Sequence, residues 1–398
     1  MNTMKRFAFL SGSIAMAAML FFFTGCGRSD APADTRQPAP GAPAASEPES
    51  SDSMPYREAE TVADKLNVPW DLAFAPDGRL LFTERPGAIR VIEGGKLLEE
   101  PMFAFGPPFV SRGESGLLGL ALDPEFAKNG YVYTYHTYES NGTMKNRVLR
   151  LRAEGNKAKL DRVLLADLPG QQTHDGGRLR FGPDGLLYVT VGDAQQREES
   201  QSRSSLAGKI LRIRPDGSIP GDNPDPKSPI YSLGHRNPQG LAWQPGTGKL
   251  FSSEHGQTSK DEINVIEKGA NYGWPLIEGD QSEPAQPPSS GTALRKPLVH
   301  SGANVTWAPS GMTFISQGPW KGQLLVAGLR GMQVLKLTLA AGPEARVDKI
   351  DALWKDRYGR IRHVAEGPDG SLYVLTNNRD GRGSPKQNDD VILRFKPK

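Results

Sequence analysis

One histidine stands on a short polar connection where an imidazole could act on a hydroxyl group. His174 lies in QTHDGGRL, residues 172–179, just before an apolar run typical of a strand. A neutral imidazole can accept a hydroxyl proton as a general base. The same ring could instead hydrogen-bond within the turn that the two glycines make, and the segment alone leaves both roles open.

A second polar connection carries an arginine and two amide side chains. Its sequence is GHRNPQ, residues 234–239, with Arg236, Asn237 and Gln239. The Arg236 guanidinium offers a rigid charged fork for a carboxylate or a developing oxyanion, and Asn237 adds donors and an acceptor. The alternative is a surface arginine in a turn formed by the Asn-Pro pair.

A third connection is acidic and rich in glycine. It contains SEHGQ, residues 253–257, and the pair Asp261-Glu262, and it is followed by NYGWP at 271–275. Carboxylates mixed with main-chain carbonyls suit a hard cation such as Ca²⁺, although the segment is not an EF-hand loop. The alternative is a solvated acidic loop.

Three arginines in the C-terminal part of the chain indicate an anionic ligand. Arg360 and Arg362 alternate in YGRIRH, residues 358–363, so both would face one side of a strand, and Arg330 ends another strand-like run. Parallel guanidiniums suit a polycarboxylate or a phosphate. A charged outer strand face would show the same spacing.

Several common active-site classes have no support in the sequence. No two of the six histidines have HExxH spacing, and Cys26 is the only cysteine, so a zinc or haem site is not indicated. A GxGxxG after a strand, a P-loop and a GxSxG are also missing. The net charge of +3 over 398 residues gives no reason to expect nucleic-acid binding.

The elements that must position these connections come from one repeated unit. A turn rich in Pro, Asp and Gly precedes a short strand six times, beginning near residues 75, 123, 182, 244, 318 and 367. Asp-Gly and Asn-Gly pairs supply the positive φ angles of hairpin turns. The repetition predicts an all-β fold, a six-bladed β-propeller over residues 56–398. Helix is suggested only for two short segments, 206–209 and 260–267.

The N-terminus has the pattern of an export signal. Lys5 and Arg6 precede an apolar run, 7–23, and small residues then precede Cys26 as in a bacterial lipoprotein box. We predict a lipoprotein signal peptide over 1–25, lipidation of Cys26 and a disordered Pro/Ala/Ser-rich tether over 26–55. The acyl chains would anchor the protein without a spanning helix, on the periplasmic face of the outer membrane if the source has two membranes.

Taken together, eight ordered motifs resemble the soluble aldose and glucose dehydrogenases that use pyrroloquinoline quinone (PQQ). The resemblance covers nearly all of residues 60–398 and rests on VPWDLAFAPDG, GLLGLALDPEF, HDGGRLRFGPDG, GHRNPQGLAW, SEHGQTSKDEIN, NYGWP, LLVAGLRG and RIRHVAEGPDGSLYVLT. It implies a six-bladed propeller that oxidises the C1 hydroxyl of an aldose to a lactone with PQQ and Ca²⁺, and passes the electrons to an external acceptor.

The same resemblance implies a role for each candidate residue. His174 would be the general base, and Arg236 would polarise the quinone oxygen while hydride passes from the sugar to the quinone. Further cofactor contacts are implied for Asn237, Gln239, Arg330, Arg360 and Arg362. Arg330 departs from relatives that carry Lys there, which keeps the charge but changes the geometry.

Metal and substrate contacts are implied in the same way. Main-chain oxygens of Gly256 and Gln257 would hold the Ca²⁺ that bridges to the cofactor, with Asp261 orienting them. Glu262 and the Tyr272 carbonyl would form a second, structural Ca²⁺ site.

Two departures from the relatives fall on expected sugar contacts. Glu114 stands where relatives often carry Gln, and Thr173 stands where glucose-specific members have Asp. The resemblance therefore does not assign glucose as the preferred sugar. The mostly polar insertion at 279–298 has no sign of a dimer-forming segment, so a monomer is expected. The alternatives are a metal-dependent lactonase-like propeller hydrolase and a cofactor-free binding propeller.

Overall fold

The computed structural model describes residues 54–282, 288, 290–342 and 344–398. Within these residues the strands form six antiparallel sheets, each built mainly from four consecutive strands. This arrangement is the six-bladed β-propeller that the repeats predict, so the predicted fold is confirmed. The predictions for the signal peptide, Cys26 and residues 26–53 lie outside the described residues.

The blades follow one another along the chain. Blade 1 contains β2 (Pro69–Phe74), β3 (Leu80–Glu84), β4 (Ala88–Glu93) and β5 (Lys96–Leu97), with β6 (Phe103–Ala104) also paired to β4. Blade 2 contains β7 (Leu117–Leu122), β8 (Tyr131–Ser140), β9 (Thr143–Glu154) and β10 (Lys157–Pro169). Blade 3 contains β11 (Leu179–Phe181), β12 (Leu187–Val191), β13 (Lys209–Ile213) and β14 (Ile230–Leu233).

The other three blades have the same order. Blade 4 contains β15 (Pro238–Trp243), β16 (Leu250–Glu254), β17 (Glu262–Ile266) and β18 (Val299–His300). Blade 5 contains β19 (Pro309–Phe314), β20 (Leu324–Gly328), β21 (Gln333–Leu339) and β22 (Val347–Leu353). Blade 6 contains β23 (Ile361–Glu366), β24 (Leu372–Thr376), β25 (Ile392–Phe395) and β1 (Glu60–Ala63).

The N-terminal strand closes the ring. β1 pairs antiparallel with β25, with Glu60 opposite Arg394, so the first strand completes the last blade. An isolated bridge between Tyr56 and Pro397 continues the same pairing. This closure ties the two ends of the propeller together and leaves blade 6 with four strands.

The repeated turns work as their sequences predict. Asp77 accepts a hydrogen bond from the Arg79 amide through Oδ1 (3.1 Å), and Gly78 between them has φ 89°. Asp184 holds the turn of blade 3 in the same way, through the Leu186 amide (3.1 Å). These are Asx turns, in which a short acidic side chain caps the backbone two residues on.

The first strands of the six blades contact one another in a ring around the centre of the propeller. A buried charge cluster crosses that centre, because Asp71 on β2 pairs with Arg178 (2.7 Å) and with Arg180 on β11 (2.9 Å). His363 on β23 contacts Arg180 (3.1 Å). Between the blades the core is apolar, with buried Val, Leu, Ile and aromatic side chains.

Helix is scarce in the described part of the chain, where one α-helical turn (α1, Phe126–Asn129) and one 3₁₀ segment (Arg197–Gln201) occur. The two predicted helical segments are wrong. In the first segment, 207–208 form a turn and β13 begins at Lys209, which pairs with β12. In the second, β17 occupies 262–266 and pairs with β16. Of the helices so described, none has the length and apolar character needed to cross a membrane.

Candidate active site

A cavity of about 720 Å³ opens among the loops at one end of the propeller. The loops entering the first strand of a blade and those linking its second and third strands meet there, because antiparallel strands bring these ends to one edge. Eleven of the predicted site residues line it, namely Glu114, Thr173, His174, Arg236, Gln239, Gly256, Gln257, Asp261, Arg330, Arg360 and Arg362. Asn237, Glu262 and Tyr272 do not line this cavity.

His174 is held by a buried carboxylate. Its Nδ1 lies 2.8 Å from Oδ1 of Asp193, whose side chain is fully buried and accepts the Trp274 indole N–H at Oδ2 (2.9 Å). This pairing leaves Nε2 as the ring nitrogen without a protein partner among the described residues. His174 also has φ 64°, a left-handed conformation that is uncommon outside glycine and concentrates at functional sites.

Glycine is required where the His174 backbone meets the next strand. A Cβ at Gly192 would lie 1.9 Å from the His174 carbonyl oxygen, so any side chain there would displace the loop. In the sequence, Asp193 follows the strand LYVTV and this glycine, a position where an acidic side chain can lie at the end of a strand. Its partner, His174, is nineteen residues away. Spacing alone could not join the two.

Glu114 lies beside His174 across the mouth of the cavity. One oxygen accepts the His174 amide N–H (3.1 Å), and the other pairs with Arg382. Burial alone would raise the pKa of Glu114, but the charges of His255 and Arg382 and the His174 amide lower it to about 2. Burial lowers the pKa of His255 to about 3, so this ring is neutral at neutral pH, and the ion pair with Arg382 favours the ionised form of Glu114.

Thr173 is the other expected sugar contact. Its hydroxyl accepts a hydrogen bond from the Gln195 side-chain amide (2.5 Å), and the residue lines the cavity. Both positions that depart from the relatives therefore lie next to His174. Thr173 precedes it on the same loop, and Glu114 faces it across the mouth of the cavity.

The cavity wall carries more positive than negative charge. Its carboxylates are Glu114, Asp261 and Asp380, whereas its guanidiniums belong to Arg85, Arg236, Arg330, Arg360, Arg362 and Arg382. Two of the arginines have carboxylate partners, since Arg360 pairs with Asp380 (2.7 Å) and Arg382 pairs with Glu114. Burial lowers the pKa of Arg362 to about 9, as expected for a cation with little solvent whose hydrogen bonds go to neutral side chains.

The sequence does not predict Arg85 and Arg382 as site residues, although both line the cavity. Arg85 directly follows β3, and Arg382 lies in the long loop between β24 and β25. Neither sits in a motif that pairs it with another polar residue, so only the convergence of the blade ends reveals them.

The two amide side chains of the second connection hold other site residues in place. Buried Asn237 accepts the Gly176 amide N–H at Oδ1 (3.0 Å) and so supports the His174 loop from below. Gln239 accepts a hydrogen bond from Arg362 at Oε1 (2.6 Å) and another from the Ser310 hydroxyl (3.0 Å). Arg362 also donates to the Ser310 hydroxyl (3.2 Å), so residues of blades 4 and 5 together hold its guanidinium.

Asp261 organises the glycine loop from beneath. Its carboxylate accepts the amide N–H groups of Gly256 (3.0 Å), Trp307 (2.6 Å) and Ala308 (2.9 Å). Both oxygens are therefore occupied by the backbone, which suits a residue that orients the loop. A Cβ at Gly256 would lie 1.9 Å from the Ser259 carbonyl oxygen, so the loop requires glycine there.

Glu262 and Tyr272 lie behind the main cavity, around a void of about 10 Å³ that they share with Glu254 and Glu278. Burial and the Glu254 charge raise the pKa of Glu262 to about 8. Such a void has room for one water or one small ion. In the described part of the chain, no three or more His, Cys, Asp or Glu side chains group closely enough to hold a metal ion.

Asp175, the neighbour of His174, should make stability depend on pH. Burial raises the pKa of this carboxyl from 3.8 to about 7 in the folded protein, although Oδ1 accepts hydrogen bonds from Asn146 (2.8 Å) and the Gln171 amide (3.1 Å). The unfolded chain loses the proton near pH 4 and the folded chain near pH 7. Folding is therefore penalised progressively between these values, by at most about 4 kcal/mol above pH 7.

We expect Asp175→Asn to remove that penalty. The variant should be more stable than the wild type at pH 8 and should lose this advantage by pH 4, as measured by urea unfolding at both values. A difference between the two proteins that does not change with pH would contradict the assignment.

Comparison with known proteins supports an oxidoreductase. Residues 66–393 match the family model described as Glucose / Sorbosone dehydrogenase. A structure described as a putative oxidoreductase (glucose dehydrogenase) from Thermus thermophilus is 44% identical, covering 85% of this chain and 99% of that one, with a TM-score of 0.77. The PQQ-bound aldose sugar dehydrogenase of Streptomyces coelicolor is 36% identical, covering 85% and 98%, with a TM-score of 0.74.

A curated relative agrees with the solved structures. Aldose sugar dehydrogenase YliI of Escherichia coli is 34% identical over 345 residues, which are 81% of this chain and 90% of that protein. The predicted resemblance to the PQQ-type aldose and glucose dehydrogenases is confirmed at the level of the family.

Proposed function

This chain belongs to the glucose/sorbosone dehydrogenase family, and from that premise we propose that it is a PQQ-dependent aldose dehydrogenase. It would oxidise the C1 hydroxyl of a pyranose sugar to the lactone and pass two electrons to an external acceptor. The observation that carries the proposal is the charge of the 720 Å³ cavity, which holds six guanidiniums and only three carboxylates.

That imbalance suits the cofactor. PQQ carries three carboxylates, which equals the excess of arginines over acids in the cavity wall. Arg236, Arg330, Arg360 and Arg362 would bind these carboxylates and the quinone oxygens through charge-assisted hydrogen bonds. When bound, PQQ supplies an electrophilic quinone that takes up the hydride from C1 of the sugar.

The chain's own residues would manage the proton. His174 would accept the C1 hydroxyl proton at Nε2, while Asp193 holds Nδ1–H and stabilises the imidazolium that forms. Arg236 would place its positive charge where negative charge develops during the reaction. Glu114 and Thr173 would contact the sugar hydroxyls and set the sugar preference.

We also propose Ca²⁺ at two places. One ion would be held by the main-chain oxygens of Gly256 and Gln257, with Asp261 orienting the loop, because both Asp261 oxygens already accept backbone N–H groups. The other would occupy the 10 Å³ void, with Glu262 and the Tyr272 carbonyl as ligands. A cation there would offset the burial and the Glu254 charge that raise the pKa of Glu262, and would favour its ionised form.

The remaining assignments are proposals from the sequence. The mature protein would be exported, lipidated at Cys26, anchored to the periplasmic face of the outer membrane, and monomeric. The hydrolase and cofactor-free alternatives are not favoured by the family match, and a cavity dominated by guanidiniums is a poor environment for a metal bound by carboxylates.

Adding PQQ to cofactor-free protein tests the proposal. With excess PQQ and Ca²⁺ we expect bound quinone absorbance, a higher melting temperature, and reduction of an artificial acceptor by at least one common aldose. At 100 times Kd the ligand should stabilise the fold by about 2.7 kcal/mol. A hydrolase or a binding propeller would show no increase in melting temperature with PQQ and no reduction of the artificial acceptor. The absence of both effects would overturn the proposal.

A further inference from the structure

One buried lysine has no part in the roles proposed so far. Lys209 begins β13 in blade 3, and its side chain is fully buried. Its Nζ donates to three main-chain carbonyl oxygens, those of Glu199 (2.9 Å), Ser200 (3.0 Å) and Ala207 (2.5 Å). We call these oxygens the carbonyl cage. They satisfy all three N–H donors of the ammonium, and within the described residues no carboxylate takes part.

The carbonyl cage suits the protonated lysine. Burial lowers the pKa of Lys209 to about 7, and the charge of Glu199 opposes this effect. A neutral amine has two N–H donors and one lone pair, so it could bond only two of the three oxygens and would turn its lone pair towards the third. Because a buried carbonyl without a donor is costly, the cage favours the ammonium.

The carbonyl cage closes the loop between β12 and β13, residues 192–208. Glu199 and Ser200 lie in the 3₁₀ segment Arg197–Gln201, whereas Ala207 lies at the far end of the loop. One ammonium therefore ties the middle of the loop to its end. Three carbonyl dipoles that point at one atom would repel one another without a cation between them, so the shape of this loop depends on the lysine charge.

The loop reaches the candidate base through the main chain. The amide of Gly208, the residue before Lys209, donates to the Gly192 carbonyl (2.9 Å). Gly192 directly precedes Asp193, whose Oδ1 lies 2.8 Å from Nδ1 of His174. A shift of the end of the loop would therefore move the carboxylate that holds the imidazole.

A second path to the same carboxylate runs through side chains. Gln201, which follows a cage residue, donates to the Trp274 carbonyl (2.7 Å) and to Oδ1 of Asn271 (3.1 Å). The Trp274 indole in turn donates to Oδ2 of Asp193 (2.9 Å). Both carboxylate oxygens are therefore placed by contacts that begin in the caged loop.

The loop also supports the segment that carries Arg236. The Gly234 amide donates to the Ser200 carbonyl (3.0 Å), and the His235 amide donates to the Gly208 carbonyl (3.2 Å). A Cβ at Gly208 would lie 2.3 Å from the His235 carbonyl oxygen, so the two segments are in direct contact. One cage oxygen therefore bonds both the ammonium and the segment that leads to the guanidinium.

We propose that Lys209 is a positioning residue for the oxidation reaction, because its ammonium fixes the loop that aligns both the candidate base and the candidate quinone-polarising arginine. The inference rests on the proposed dehydrogenase function, in which His174 and Arg236 have these roles. Neither Lys209 nor any residue of the loop 192–208 lines the cavity of the candidate active site. The lysine acts on the reaction only through the residues that it positions.

Lys209→Met tests the charge, because methionine is unbranched and flexible but has no ammonium. In enzyme loaded with PQQ and Ca²⁺, we expect kcat for an aldose to fall about 10- to 100-fold, since a displacement of about 1 Å at a catalytic group can have an effect of this size. KM should change less than about twofold, because the sugar would bind to a cavity wall that the loop does not form. A rise in KM with unchanged kcat would contradict the proposal.

A spectroscopic measurement tests the positioning without cofactor or turnover. Nuclear magnetic resonance of cofactor-free protein with isotope-labelled histidine should show the Nδ1–H proton that His174 shares with Asp193. The signal is assigned by its loss in His174→Gln. We expect Lys209→Met to shift or broaden this signal. If that variant does not fold, Lys209→Gln replaces it, since its amide can bond two cage oxygens but has no charge, and the same change is expected.

Lys336→Met is the matched control. Lys336 is also a buried lysine, on β21 of blade 5, where its ammonium lies 3.2 Å from Asp351. Its replacement should destabilise the fold but leave the His174 signal and kcat unchanged. An unchanged signal in the Lys209 variant, or equal changes in both variants, would overturn the positioning role. Because the signal needs no cofactor, a wild type without PQQ-dependent turnover would count against the dehydrogenase proposal alone.

Discussion

Replacing His174 with glutamine is expected to lower kcat by about 10²- to 10⁴-fold, the usual contribution of a general base. Glutamine retains a polar side chain of similar size but cannot take a proton at neutral pH. PQQ binding should survive, because the arginines of the cavity are unchanged. Steady-state turnover of an aldose and the thermal shift caused by PQQ measure the two effects separately.

A histidine outside the cavity provides the control. His300 accepts the Gly302 amide N–H at Nδ1 (3.1 Å) and contributes nothing to the cavity wall. His300→Gln should therefore leave turnover close to that of the wild type. Full turnover by His174→Gln would show that another group removes the proton. Loss of the PQQ-induced thermal shift would show that His174 instead helps to form the cofactor site.

Replacing Arg236 with glutamine should cost about 10²- to 10³-fold in kcat, comparable to the removal of one oxyanion-stabilising donor. The Arg236 guanidinium lies in the cavity wall, where it donates to the His255 carbonyl (3.3 Å) and stacks 5.3 Å from the Trp274 ring. Burial lowers its pKa, although the nearby Asp193 carboxylate opposes that effect. Lysine at this position should recover part of the loss, since it restores charge without the planar fork.

A second arginine on the same indole offers a matched control. Arg197 lies 4.6 Å from the Trp274 ring, but it is exposed and outside the cavity. Arg197→Gln removes the same charge and the same stacking interaction, so its kcat should stay within about twofold of the wild type. If both glutamine variants lost activity equally, the effect would belong to Trp274 packing rather than to charge at the reacting centre.

These predictions involve two kinds of residue: those that the sequence predicts and those that only the folded structure reveals. His174, Arg236, Arg360 and Arg362 were predicted from motifs, and the folded chain brings all four to one cavity wall. Asp193 was not predicted, and it would hold the imidazole tautomer on which the first prediction depends. Its role becomes visible only when the end of β12 is folded against the loop that enters β11.

The propeller was determined by local chemistry that the sequence carries by itself. Each Asp-Gly turn uses a side chain and a backbone amide two residues apart, and each following strand alternates within a few residues. Six copies of this turn-and-strand unit then predict a six-bladed propeller. Local chemistry cannot predict which distant residues pair. Glu114 and Arg382 are 268 residues apart, and Gln239 and Arg362 are 123 apart.

Only ring closure decided those pairs, together with the charge excess of the cavity in the candidate active site. The strand pairing of β1 with β25 brings blade 6 beside blade 1, and the loops at one end then converge from every blade. A loop such as 377–391 shows no periodicity and no motif, so its partners follow from where its blade stands in the ring. The sequence by itself therefore determined the blades and the principal polar residues, and the tertiary structure decided which of those residues face one another.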